Sequence, residues 1–284
     1  MRDALDKLRG IPDPAERARS ASALIDDLAS ASSEASHVRL EALAALQASG
    51  MNQSEIAAAA GMSRARISQV MKAGPPPGRA LVAAHPGRVF TVAVAKKPEG
   101  RGNLSIVEST LNAFGKLADL AASYGLKAER VDVPPPGLIE MNTDNLAVLI
   151  GPRMSALIVQ AVSADPVIRW QQDALCEWYI TDTTDGTDYH SDFDAGSNVR
   201  GVRSCYAHMG RIRRPDGQGS FLYLGGAHAP GTAGAVEIFT RDTVALWEQA
   251  KRSLWSAVAR TTVNEDGSIA AAELVTPVYV HGKR

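Results

Sequence analysis

The sequence predicts two parts of different class: an all-helical domain over residues 1–74, and an α/β sandwich domain with a mostly parallel sheet over residues 88–284. Three observations carry this. Apolar residues in the first part recur at three- and four-residue spacing with alanine between them, the period of a helix packed on one side. The run Ala73-Gly74-Pro75-Pro76-Pro77-Gly78 then stops any helix, because proline fixes φ and has no N–H to donate, and it makes residues 75–87 a stiff linker. Beyond it β-branched runs alternate with amphipathic ones, and Leu146-Ala147-Val148-Leu149-Ile150 is apolar at every position, as a strand covered on both faces should be.

Taken in order, Asp13 is placed to cap a helix over residues 14–31 with Ala18, Ala21, Leu24, Ile25 and Leu28 on one side. A second helix over 33–49 presents Val38, Leu40, Leu43 and Leu46 and ends at Gly50. Ser54 then caps a short helix with Ile56, Ala57 and Ala60 inward, and Gly61 closes it. Ser63 caps the next, whose inward positions are Ile67, Val70 and Met71, leaving Arg64, Arg66, Ser68, Gln69 and Lys72 outward. After the linker come a strand over 88–95, a helix over 104–124 ending at Gly125, and strands over 128–133, 146–150, 167–170, 178–181 and 221–224. A long helix is expected from Ala235 or Thr243 to Ala259, and a hairpin joins 260–263 to 271–275 across Asn264-Glu265-Asp266-Gly267-Ser268.

The stretch from Gln53 to Lys72 has a recognisable spacing: Ala57 where two helices cross closely, Gly61 at the turn, and Ile67 and Val70 closing the small core. It resembles the helix-turn-helix superfamily, most nearly the region-four type of sigma factors and the phage-repressor type. The resemblance covers roughly twenty residues, a short motif whose meaning depends on its structural context. It implies that the helix from Ser63 to Lys72 lies in the major groove of double-stranded DNA. There Arg64, Ser68, Gln69 and Lys72 would reach base edges and Arg66 a phosphate, with Ser63 and Ala65 on the same face. A helical hairpin with a solvated polar face is the other reading.

Composition limits the partners. Of 284 residues 45% are hydrophobic, enough for a sizeable core, and the formal net charge is −1, so the whole molecule has no basic field. The positive charge is local: residues 61–74 hold Arg64, Arg66 and Lys72 and no acidic residue. One short helix with so few cations gives limited affinity, so a homodimer reading two half-sites is expected. Cys176 and Cys205 form no CxxC pair, which fits a reducing cytosol and gives no structural zinc motif. The charged amino terminus lacks the apolar segment of a signal peptide, and no apolar run approaches the roughly twenty residues of a membrane span. A cytoplasmic protein without membrane contact is expected.

Two loops after expected buried strands are candidate ligand sites, because open α/β sheets bind ligands beyond the carboxyl ends of their strands. In the first, Gly151, Arg153, Met154 and Ser155 offer close backbone approach, a guanidinium and a hydroxyl, suited to an anion. The second, residues 225–234, places Gly226, His228, Gly231 and Thr232 where a glycine-rich loop could wrap an anion. Neither matches GxxxxGK[ST] or an in-register GxGxxG, and the glycines could simply supply positive φ in tight turns. The acidic stretch 181–194 lacks the glycine and glutamate order of a calcium loop and reads as a solvated hairpin around Asp185-Gly186. Residues 211–219 read as a basic turn built on Pro215-Asp216-Gly217. A triad of Ser155, His228 and Asp182 is conceivable, but no GxSxG elbow surrounds Ser155. The sequence thus points to a one-component DNA-binding regulator that senses a small anionic metabolite or nucleotide, with no catalytic residue, metal or cofactor assigned. An enzyme of nucleotide or phosphate chemistry carrying a helical targeting domain is the alternative.

Overall fold

A computed structural model describes residues 2–73, 78–85, 87–100, 103–194 and 197–283. The chain divides into two units, Met1–Pro76 with Ser123–Gly125, and Pro77–Ala122 with Leu126–Arg284.

In the first unit α1 (Arg2–Arg9) is an addition to the expected helices. Asp13 accepts from the backbone N–H groups of Ala15 and Glu16 and starts α2, which runs without interruption over Pro14–Ala48. The sequence reading breaks this helix near residue 32, and the structure does not. Ser32 and Ser33 keep their N–H donors and cost only a few tenths of a kcal/mol relative to alanine in a helix, too little to stop one already running.

Two joints of the same make connect α2 to α3 (Gln53–Ala59) and α3 to α4 (Arg64–Ala73). At each a glycine takes positive φ, Gly50 at +92° and Gly61 at +63°. At each a methionine follows and sends its N–H back over the turn, Met51 to Leu46 O (3.3 Å) and Met62 to Ala57 O (3.0 Å). These bonds satisfy carbonyls that the helix end would leave orphaned. At each a polar residue then caps the next helix: Asn52 accepts from Ser54 N and Glu55 N, and Ser63 Oγ accepts from Arg66 N. The cap of α3 is therefore Asn52 and not Ser54; Glu55 returns a bond to Asn52 N (2.7 Å) and completes a capping box that Ser54 could not form. Met51 and Met62 pack against the core made by Leu43, Ile56, Ala57, Ile67 and Val70.

The expected linker, residues 75–87, falls partly outside the described residues, at 75–77 and 86. The rest of it is integrated in the second unit. Residues of α5 (Arg79–Val82) are buried, and Arg211 donates to the carbonyls of Leu81 and Val82. Asn145, itself buried, accepts from His85 N (2.8 Å) and donates to His85 O and Val89 O.

The second unit is mixed α/β around an eight-stranded sheet. Its strands are β1 (Val89–Ala95), β4 (Lys127–Val133), β5 (Leu146–Leu149), β9 (Arg203–Arg213), β10 (Ser220–Gly226), β11 (Ser253–Val263), β12 (Ile269–Leu274) and β13 (Tyr279–Lys283). Between them stand two short sheets, β2 (Lys97–Pro98) with β3 (Leu104–Ser105), and β6 (Ile168–Gln172) with β7 (Trp178–Asp182) and β8 (Thr187–Tyr189). The order is β12-β11-β9-β10-β5-β1-β4, with β13 also on β11. Parallel pairing is confined to β4-β1-β5-β10, whereas β9 lies antiparallel between β10 and β11, so β11 again runs with the parallel set. Five of the eight strands thus share one direction (β1, β4, β5, β10, β11).

Ala93, Leu146, Val148, Phe221, Tyr223 and Val258 face α7 (Ala156–Val162) and the β6–β8 sheet in one core. The alternate residues Val92, Val94, Ala147, Leu149, Leu222 and Leu224 are buried on the other face. There α8 (Ala229–Arg241) packs over β9–β12 and is linked by Lys116 and Glu237 to α6 (Glu108–Ser123). Burial on both faces explains the continuous apolar run of β5.

Two expectations change. Residues 211–213 belong to β9 and not to a turn, with the Arg211 side chain fully buried; only Arg214–Gly219 turns, with Gly217 at φ +71°. The helix expected as far as Ala259 is α8 followed by α9 (Thr243–Ala250), and residues 253–263 are a central strand. Val258, Thr261, Thr262 and Val263 are β-branched and suit a strand, and pairing with β9, β12 and β13 holds it. The hairpins around Asp185-Gly186 and across 264–268 form as expected, with Gly186 and Gly267 at positive φ.

Candidate functional site

Within the helical unit, α3 and α4 bury Ile56, Ala57, Ile67 and Val70 against Leu43. That leaves Ser63, Arg64, Ala65, Arg66 and Gln69 exposed and Ser68 half-buried. Lys72 continues the α4 backbone, and its side chain lies outside the described residues. Arg66 Nη1 reaches Gln69 Oε1 at 3.5 Å along the outer face. The outward set is a row of donors next to one small residue, Ala65, on a helix held from behind.

Within the α/β unit, the chain runs from β1 outward to β4 and then returns to the opposite side of β1 as β5. Connections therefore diverge between β1 and β5, which leaves a crevice beyond their carboxyl ends. A cavity of about 190 Å³ lies there, lined by Lys97 after β1, Thr110 of α6, Gly151, Arg153 and Met154 after β5, Gly226 at the end of β10, and His228 and Thr232 beyond it. The structure thus brings the two expected loops together.

The glycines do a different job from the expected turns. Neither Gly151, Gly226 nor Gly231 has positive φ. A Cβ on Gly151 would lie 2.1 Å from Gly226 O, and one on Gly226 would lie 2.6 Å from Thr232 N. The two loops touch backbone to backbone, and only glycine permits it. Moreover, most of the second stretch is not a loop: β10 continues through Gly226 and α8 begins at Ala229. Gly231 approaches Tyr206 O and Cys205 Sγ, and Gly234 approaches Thr261 Oγ1, so these glycines seat α8 closely on β9 and β11.

Two hydroxyls are committed. Ser155 caps α7, accepting from Ile158 N (3.2 Å) and donating to Gly137 O (2.7 Å), and it is buried. Thr232 Oγ1 accepts from Gly226 N (3.0 Å). The first turn of α8 is also partly spent, since Gly231 N and Thr232 N both donate to His228 O and Pro230 has no N–H. Burial pushes the Cys205 thiol above its usual range, against backbone donors at His228 and Gly231.

Arg153 and His228 form the polar centre. Arg153 Nε donates to Ala227 O (3.1 Å), and its Nη2 meets Glu177 and Asp194 Oδ1 (2.9 Å). His228 Nε2 lies 2.7 Å from that same Asp194 oxygen. A carboxylate oxygen accepts, so Nε2 is the donor, and its 3.3 Å approach to Arg153 Nη2 sets two donors side by side around one acceptor. Phe193 packs against His228, and Arg203 lies over the Phe193 ring at 3.9 Å. Ser191 N donates to the second Asp194 oxygen (3.2 Å), which fixes the carboxylate in a tight turn.

The grouping of Ser155, His228 and Asp182 is not formed. His228 pairs with Asp194, Ser155 serves α7, and Asp182 accepts from Thr184 and Tyr279. Sequence reasoning missed Lys97, Glu177 and Asp194. Lys97 was findable, since it follows the first parallel strand as Gly151 follows the second. Asp194 was hidden in an acidic stretch that reads as solvated, although only 10% of its side chain is exposed. Glu177 carries no sequence signal.

Comparison with known proteins finds no matching family model, no matching curated protein and no matching solved structure.

Proposed function

We propose that the protein is a one-component transcriptional regulator. In this reading α3 and α4 are a helix-turn-helix that reads double-stranded DNA, and the crevice of the α/β unit senses a small anionic metabolite. The observation that carries it is the exposed edge Ser63, Arg64, Ala65, Arg66 and Gln69 on a helix whose other side is fixed by Ile67 and Val70. Arg and Gln are the side chains that pair bidentately with guanine and adenine in the major groove, and a locked helix loses little freedom on presenting them. The near-neutral charge of the chain supports a homodimer on two half-sites, in which each copy adds its few contacts. A ligand that binds two arrangements of the dimer unequally would shift operator affinity by that difference. The size of the crevice, about 190 Å³, supports a small metabolite over a nucleotide, because pockets for drug-sized ligands run from about 300 to 1,000 Å³.

The test is selection of preferred duplexes from a random pool by the full chain, followed by titration of the selected site. Arg64→Ala and Gln69→Ala are each expected to weaken specific binding by roughly 1–3 kcal/mol while leaving the fold intact. No enrichment over random duplex, or unchanged affinity in both variants, would remove DNA reading from this helix.

An enzyme of nucleotide or phosphate chemistry is the second reading. The 2.7 Å bond from His228 to Asp194 favours it, since a carboxylate that orients an imidazole is how general bases are held. Among the described residues, however, no side-chain hydroxyl or thiol is hydrogen-bonded to the His228 ring. Turnover of nucleoside phosphates that disappears in His228→Ala would establish this reading over the first.

A further inference from the structure

We propose that Asp194 is a built-in stand-in for the ligand: its carboxylate occupies the place on Arg153 and His228 that a small oxyanion, a carboxylate or phosphate group, takes when it binds. This rests on the reading of the crevice as an anion sensor. The geometry behind it is the sharing of one oxygen. Asp194 Oδ1 accepts from Arg153 Nη2 at 2.9 Å and from His228 Nε2 at 2.7 Å, so two donors from two different loops converge on a single acceptor. Both donors line the cavity, whereas Asp194 does not and reaches them from the Ser191–Asp194 turn. Such convergence on a point is what an oxyanion site needs, and Arg with a donor at its side is suited to carboxylate or phosphate.

The same cavity is lined by Lys97, which makes no ion pair with a described residue. An incoming oxyanion would gain Lys97 in addition to the two donors that Asp194 uses, and this is its advantage over a tethered carboxylate. The tether gives Asp194 a high effective concentration in return. Glu177 remains on Arg153 in both states and keeps the guanidinium aimed. When the ligand displaces Asp194, the turn beginning at Ser191 loses its hold on both loops, and Phe193 loses the His228 ring. The ligand-free state is therefore a closed, self-satisfied one.

The test is calorimetric titration of the full chain with inorganic phosphate and, separately, with malonate, in the wild type, Asp194→Asn, Arg153→Ala and the double variant. Asparagine keeps an acceptor for Ser191 N–H but removes the competing charge, and a thermal melt within a few degrees of wild type checks that the fold is kept. Expected is at least tenfold tighter binding of one of the two anions by Asp194→Asn than by wild type, with the gain abolished when Arg153→Ala is added. Phosphate alone or malonate alone showing the gain identifies which oxyanion the site prefers. If wild type binds an anion in a way Arg153→Ala abolishes, yet Asp194→Asn binds no tighter, the stand-in is overturned and the anion sensor survives. If Asp194→Asn binds neither anion, or binds as well without Arg153, both are overturned.

Discussion

Glycine is used in two opposed ways at the joints of the helical unit and around the crevice of the α/β unit. In the helical unit Gly50 and Gly61 bend the chain: each sits at positive φ, and an added Cβ would meet nothing within 4 Å. In the α/β unit Gly151, Gly226, Gly231 and Gly234 lack positive φ, and an added Cβ would strike a neighbour at 1.9 to 2.9 Å. The first use solves a local problem of backbone angle, and the residues that share it are consecutive. The second solves a problem of distance between segments remote in sequence. One is a property of a turn; the other is a property of a packed interior, and it is what lets Arg153 and His228 meet.

This contrast can be broken by substitution. The largest effect is expected for Gly151→Ala, because the obstacle is the carbonyl of Gly226 and no rotamer change relieves it. Overpacking of this kind should cost about 3 kcal/mol in urea unfolding. All four tryptophans lie beyond the proline run, so their fluorescence reports that unit selectively. Gly61→Ala should cost about 1–2 kcal/mol, the penalty of a left-handed non-glycine residue, and should move far-UV circular dichroism without shifting the tryptophan transition. Should Gly151→Ala prove no costlier than Gly61→Ala, the two uses of glycine are one. Smallest is Asn52→Ala, which removes acceptors for Ser54 N and Glu55 N and should cost about 1 kcal/mol; Ser54→Ala should cost far less, which separates the observed cap from the one the sequence suggests.

The same contrast explains what was legible in the sequence. The joint at Gly61, the inward set Ile56, Ala57, Ile67 and Val70, and the cap at Ser63 were readable because each depends on neighbours a few residues away. The cap at Asn52 lies two positions before the one the sequence suggests, because Asn52 and Glu55 each accept from the other's backbone N–H. In the α/β unit the strands β1, β4 and β5 were readable from composition, and the rule for carboxyl ends pointed to two loops that line one cavity. What filled those loops was not readable. Glu177 and Asp194 reach Arg153 from 24 and 41 positions away, and nothing local marks them. Arg211 misled in the other direction: a cation in a basic run reads as surface, yet it is buried where it holds carbonyls at the end of α5.

That arginine also anchors the first residues of the α/β unit. The chain enters it not through slack but through a helical turn bolted to β9, with Asn145 gripping the next few residues from behind. The strand on which Arg211 lies, β9, pairs directly with β10, and the chain leaving β10 reaches His228 two residues later. The first turn of the α/β unit and the loop that carries His228 thus hang on two neighbouring strands of one sheet.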